Sequence, residues 1–216
     1  MFQSLRISGL LPATLPESAS LHSEVWNAEA EVKKGEHVLV SAASGRGKST
    51  FISILYGLRT DFQGKYLYNG EDSRLISPAQ WSLLRSSEIS IVFQDLRLFP
   101  DYTVRENLEI KGQLAGSNYN PEEASSMCRL LGIGDFMDRK CGTLSFGERQ
   151  RVAIVRALIQ KAELILMDEP FSHLDRDNSE VALDLILKKA SENGSSLLIT
   201  SLGGDYGWKY HRILSL

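Results

Sequence analysis

Residues 42–50 read Ala42-Ala43-Ser44-Gly45-Arg46-Gly47-Lys48-Ser49-Thr50. The apolar run Val38-Leu39-Val40 leads into them, and a helix-like run with Phe51, Ile54, Leu55 and Leu58 on one face leads out. Strand, glycine-containing loop, Gly-Lys-Ser and helix in that order form the context of a phosphate-binding loop. Loop N–H groups and a helix N-terminus make a concave site that favours anions. Gly45 and Gly47 let the backbone turn and approach phosphate oxygens closely. Lys48 is placed to reach the outer phosphates and Ser49 to ligate Mg²⁺. Ala42 stands where the motif's first glycine belongs. Taken alone, such a loop is also compatible with an ordinary Gly/Ser turn beside an exposed lysine.

The chain has 216 residues, with 24 basic and 27 acidic side chains for a net charge of −3. That length suits one large domain, or a domain with a subdomain. The charge gives no electrostatic reason to expect a nucleic-acid partner. Cys128 and Cys141 have no metal-ligand spacing, and they point to a reducing compartment and ordinary packing. No apolar run approaches the roughly 18 residues of a membrane span, and no basic-then-apolar leader is visible. A membrane role must therefore come through a partner.

Before the loop, residues 6–10 suit a short strand, residues 11–20 with two prolines a loop, and residues 25–32 a half-buried strand. Tyr66-Leu67-Tyr68 followed by Asn69-Gly70 reads as a strand ending in a tight turn. This front section predicts antiparallel strands beside a parallel core. A helix is expected from Ser77-Pro78 through Leu84, then the strand Ile89-Ser90-Ile91-Val92-Phe93 with Gln94 at its C-terminal end, where ligands of open α/β sheets bind. A polar residue there is also a common turn residue. Residues 95–142 read as a helical insertion, with helices over 103–114 and 121–131, capping-box spacing at Thr103 and Glu106, and a mobile loop expected from Gly112 to Asn120.

Leu144-Ser145-Phe146-Gly147-Glu148-Arg149-Gln150-Arg151 opens an amphipathic helix. Ser145 can cap it, giving a second anion-friendly N-terminus, although an ordinary capped helix has the same features. Leu164-Ile165-Leu166-Met167 is apolar without alternation, as a parallel strand buried on both faces requires, and it delivers Asp168-Glu169. Two carboxylates at a buried strand end are costly unless something positive lies between them. Mg²⁺ on Asp168 and a water positioned by Glu169 would account for both; solvated turn carboxylates are the plain alternative. Ser172-His173-Leu174-Asp175 reads as a loop, residues 181–190 as a helix, and Leu197-Leu198-Ile199-Thr200 and residues 213–216 as further strands.

In order and spacing these residues resemble the ATP-binding cassette (ABC) family of ATPases over roughly residues 35–200. Residues 42–50 resemble its Walker A motif, Gln94 its Q-loop glutamine and residues 144–148 its signature motif. Residues 164–169 resemble Walker B with the catalytic glutamate, and residues 172–175 the D-loop. The length, together with residues 93–100 and 103–108, is similar to the short stand-alone subunits of lipoprotein-release, macrolide-export and cell-division systems.

The resemblance implies an α/β fold: a P-loop NTPase core with a mainly parallel sheet, an N-terminal antiparallel β part and an inserted α-helical subdomain. The division expected is a core of residues 1–94 and 152–216 with a helical subdomain at 95–151. It implies ATP held by residues 42–50 of one copy and by Ser145, Gly147 and Asp175 of a second, with Mg²⁺ on Ser49, Gln94 and Asp168. Catalytic roles fall to Glu169, Lys48 and Gln94. The implied partners are a second ABC subunit, most simply a homodimer, and a multi-span membrane permease. The implied location is cytoplasmic, peripheral at the inner face of the cell membrane. Four departures stand out: Ala42, Phe146 for the signature's first glycine, no adenine-stacking aromatic among residues 11–20, and Ser201 where the family carries a switch histidine. The last implies slow hydrolysis. The rival reading is an ATP-gated dimer that regulates a membrane or cell-wall partner with little turnover. A soluble DNA-repair or translation ABC protein lacks support, because there is no second cassette, coiled-coil insertion or basic tail.

Overall fold

A computed structural model of the chain describes residues 1–114 and 119–216. It has two sheets. The first is antiparallel, with β2 (Glu29–Lys33), β1 (Ser4–Pro12), β4 (Phe62–Tyr68) and β5 (Glu71–Asp72) in that spatial order. The second is parallel throughout, with order β6 (Ile89–Val92), β7 (Leu164–Asp168), β8 (Ser196–Ser201), β3 (His37–Ser41) and β9 (Arg212–Ser215). The expected α/β architecture with an antiparallel front section is present.

The parallel strands are apolar on both faces because both are covered. Val38, Val40, Leu164, Leu166 and Leu198 point into a core shared with the antiparallel sheet and α1 (Lys48–Leu55). Their neighbours Leu39, Ile165, Met167, Leu197 and Ile199 point the other way. There they meet α5 (Phe146–Leu158), α6 (Arg176–Asn193) and the helical region of α3 (Val104–Leu114) and α4 (Pro121–Leu130). This period-two alternation makes one sheet the wall between two hydrophobic cores. The Thr103–Glu106 capping box forms before α3, with Glu106 Oε2 accepting from the Thr103 N–H at 2.7 Å. Both cysteines are free and buried.

Some local expectations differ. The strand expected over 25–32 forms only from Glu29, because Ser23 Oγ accepts the N–H groups of Val25 and Trp26 and folds them into a buried turn. The first two residues of the expected loop at 11–20 complete β1, and Glu17–Ser20 form a 3₁₀ turn. Leu58 does not share the buried face of α1: the helix stops at Leu55 and Leu58 is exposed. α2 (Pro78–Ser87) runs past Leu84, and α6 extends well beyond both ends of the expected 181–190 helix. In the stretch expected to be mobile, Gly112 to Leu114 belong to α3 and Tyr119 packs on Gly112; residues 115–118 lie outside the described residues. α5 is continuous across residues 151 and 152, so the helical region passes into the core within one helix.

Candidate active site

The site is built at the C-terminal ends of β3, β6, β7 and β8. After β3 the chain turns through residues 42–47 with residues 43–46 exposed, and Gly47 caps α1 at φ 93°. A side chain at Gly47 would meet Leu15 Cδ1 at 2.8 Å and Trp26 at 3.1 Å, so closeness and backbone conformation both require glycine. The Trp26 indole N–H donates to the Arg46 carbonyl at 3.0 Å, and its ring packs edge-on against Phe51 at 5.6 Å. Trp26 thus holds the loop from beneath, and sequence reading missed it because it lies in a turn rather than in a motif. Ala42 is buried and is not among the residues with positive φ, so the absence of glycine there costs no strain.

Lys48, at the first turn of α1, is 4% exposed. Its ammonium donates to the carbonyls of Ala42 and Ala43 at 2.7 and 2.9 Å and lies 3.2 Å from Glu169 Oε1. Glu169, 6% exposed, has a left-handed backbone at φ 49°. Two bonds fix that conformation. Its N–H donates to Thr200 Oγ1 at 3.1 Å, and its carbonyl accepts from Gln150 Nε2 at 3.0 Å. Gln150 Oε1 also accepts the N–H of His173 at 3.2 Å. One α5 side chain therefore ties the end of β7 to the following loop. Thr200 in turn donates to Asp168 Oδ1 at 2.8 Å. It can do so because Asp168 and Thr200 are registered partners on adjacent parallel strands.

Ser49 Oγ donates to Gln94 Oε1 at 2.8 Å, and the Asp168 carboxyl lies close enough to feel the Ser49 hydroxyl. Burial pushes the Asp168 carboxyl above its usual range, and the neighbouring Ser49 and Thr200 hydroxyls oppose that. Ser49, Gln94 and Asp168 thus bring three oxygens together. This is a donor set suited to Mg²⁺, which takes few protein carboxylates and completes its shell with water and substrate phosphates.

Ser145, Gly147 and Asp175 stand apart from this group. Ser145 is exposed and closes a capping box with Glu148, whose carboxyl it holds below the usual range. A side chain at Gly147 would meet the His173 carbonyl at 2.9 Å. Asp175 caps α6 through the Asn178 N–H. Phe146 leans on the His173 ring at 4.1 Å, with the Arg149 guanidinium 5.3 Å above it. Ser201, 1% exposed, is turned into its own loop: its hydroxyl donates to the Gly204 carbonyl and accepts the N–H groups of Gly203 and Gly204. Tyr206 lies beside Ser201 and packs on Phe171 at 4.7 Å.

A phosphate-binding loop on a parallel sheet, its lysine facing adjacent strand-end carboxylates, defines a P-loop nucleoside triphosphatase. The ABC transporter family profile matches residues 25–172. The lipoprotein-releasing system ATP-binding protein LolD of Shewanella oneidensis is 35% identical over 79% of this chain and 75% of its own length. LolD of Aquifex aeolicus is 36% identical over 86% and 83%. The macrolide export ATP-binding/permease protein MacB of Brucella melitensis is 32% identical over 86% of this chain, which spans only 29% of that protein. Among solved structures, the dimeric bacterial ABC transporter cassette MJ0796 superposes with a TM-score of 0.85 at 25% identity, covering 98% of this chain and 94% of its own. The same cassette in a post-hydrolysis state bound to ADP and Pi gives 0.84. The chain belongs to the ABC transporter family: it is an ABC-type ATPase, the ATP-binding subunit of a transporter, and the resemblance expected from its motifs holds.

Proposed function

We propose that two copies of this chain close head to tail around Mg-ATP and that hydrolysis reopens them, driving a multi-span membrane permease. The observation that carries the reading is the convergence of Lys48, Ser49, Gln94, Asp168 and Glu169, from separate elements, on one side of the phosphate-binding loop. The N–H groups of residues 43–50 and the Lys48 ammonium receive the β- and γ-phosphates. An incoming phosphate competes with Glu169 for Lys48, which frees the carboxylate to orient a water or take its proton. Ser49, Gln94 and Asp168 would hold Mg²⁺, which supplies charge neutralisation at the phosphates. Ser145 and Gly147 of the second copy present a helix N-terminus to the γ-phosphate, with Asp175 at the seam.

Moving a dimer from 1:99 to 99:1 takes about 5.5 kcal/mol of differential binding. Several charge-assisted bonds of roughly 1.5–3 kcal/mol each can supply it, and loss of the γ-phosphate removes it. The permease would engage the groove between the core and the helical region beside Gln94, placing the subunit on the cytoplasmic face of the membrane. Among the described residues no helix is long and apolar enough to cross a membrane. The rival reading, a dimer with little turnover, is not favoured: Lys48, Asp168 and Glu169 are all in place, and the similar cassette MJ0796 is known with ADP and Pi.

The test is calorimetric titration with Mg-ATP. Lys48→Ala is expected to weaken binding at least tenfold with unchanged circular dichroism. Equal affinity would overturn the assignment of the loop.

A further inference from the structure

Beside Gln94, β6, α3 and α5 enclose a cleft of ≈210 Å³ that no step of nucleotide binding uses. Its floor is aromatic: Tyr56 and Phe93 meet edge-on at 5.7 Å. Its walls carry Arg97, Lys111 and Arg156. The Arg97 guanidinium lies 3.9 Å above the Phe93 ring and is paired with exposed Asp95. Arg156 donates to the carbonyls of Leu96 and Arg97, both left-handed residues. Lys111 has no acceptor or ion pair among the described residues. Desolvation and the neighbouring Arg156 lower its pKa to about 8. Three cations over an apolar floor, facing one exposed carboxylate, leave a positive surplus in the cleft.

Resting on the reading that a membrane partner enters this groove, we propose that the inserted segment carries a carboxylate, which Lys111 and Arg156 bind. The apolar floor takes an adjoining apolar side chain, and Phe99, half-exposed at the rim, extends that surface. A carboxylate between Lys111 and Arg156 removes their mutual repulsion, and such charge complementarity selects partner and register. The position also has consequences for coupling. Arg156 lies on the helix that starts at Ser145, and it grips the two residues that follow Asp95 and Gln94. A partner carboxylate on Arg156 therefore bears on the Mg²⁺-side glutamine and on the signature helix together.

The experiment titrates the full chain with two fluorescent twelve-residue amphipathic helical peptides, alike except for one glutamate or glutamine among leucines. The expected result is at least tenfold tighter binding of the glutamate peptide, weakened by salt and reduced to near parity in Lys111→Met. Mg-ATP affinity, measured on the same samples, should be unchanged. Equal affinities, no saturation by either peptide, or a glutamate preference that survives in Lys111→Met would each overturn the proposal. Nucleotide-free self-association abolished by Lys111→Met, or chain binding to phosphatidylglycerol vesicles abolished by it, would assign the cleft to another occupant and equally overturn it. If Mg-ATP binding is absent in the wild type, the reading of the nucleotide site fails instead.

Discussion

Removing a single buried hydroxyl should unbalance the carboxylate-bearing end of β7. Thr200 is fully buried, donates to Asp168 Oδ1 at 2.8 Å and accepts the Glu169 N–H at 3.1 Å. Thr200→Val keeps the shape and β-branching but removes both bonds. The bond to the carboxylate is of the charged kind, worth about 1.5–3 kcal/mol, and stranding a buried N–H costs about 1–3 kcal/mol more. The sum, roughly 2.5–6 kcal/mol, corresponds to a fall in melting temperature on the order of 10 °C for a chain of this size. Urea unfolding followed by circular dichroism gives the free energy directly. Glu169 also loses one of the two bonds that fix its left-handed backbone, so single-turnover ATP cleavage should slow even where the protein remains folded. A stability loss below about 1 kcal/mol, less than the cost of one stranded group, would refute this account of how the two carboxylates are held.

Two further outcomes follow. Desolvation holds the Lys111 ammonium pKa down to about 8 in the folded chain against about 10.4 unfolded, so its favourable contribution is complete only above the unfolded value and is lost as pH falls through the folded one. Lys111→Met should therefore be more stable than wild type at pH 7. The gap should be about 1 kcal/mol, well short of the ~1.4 kcal/mol per pKa unit, because the side chain is only half-buried and screened. It should close between pH 8 and 10.4 in urea titrations; a gap independent of pH would show that the lysine is not desolvated. Ser201→Ala should leave single-turnover cleavage nearly unchanged while speeding amide exchange at Gly203 and Gly204. A fall of ~10²-fold, the cost of losing a preorganised donor, would mean that the hydroxyl serves phosphate.

Period and punctuation made much of the fold legible. Unalternating apolar runs marked β7 and β8 as buried parallel strands, and the Ser77-Pro78 and Ser145 caps marked helix starts that the structure keeps. The turn at Val25-Trp26 was not legible: its alternating pattern suits a strand, and only the Ser23 side chain, hydrogen-bonding locally, decides otherwise. At the site, Lys48, Ser49, Gln94, Asp168 and Glu169 could be named because each sits in a motif. Thr200, Gln150 and Trp26 could not, because their roles depend on strand register, a helix face and a loop's underside. Thr200 was the nearest to being found: a hydroxyl at the end of a buried strand, next to a strand ending in carboxylates, has few other partners. Ser201 was legible only in part. Its motif position implied a lost phosphate contact, but not that the following Gly203 and Gly204 capture the hydroxyl locally.

Association driven by ATP is the centre of the account. Glu169→Gln keeps the Glu169 side chain's shape and hydrogen bonding but cannot take a proton from water, so ATP should persist at the seam. Sedimentation velocity of Glu169→Gln with saturating Mg-ATP should show a dimer that ADP does not support, and adding Ser145→Arg at the exposed signature cap should return it to monomer. A Glu169→Gln protein that stays monomeric at saturating ATP, or a dimer indifferent to Ser145→Arg, would contradict the head-to-tail arrangement.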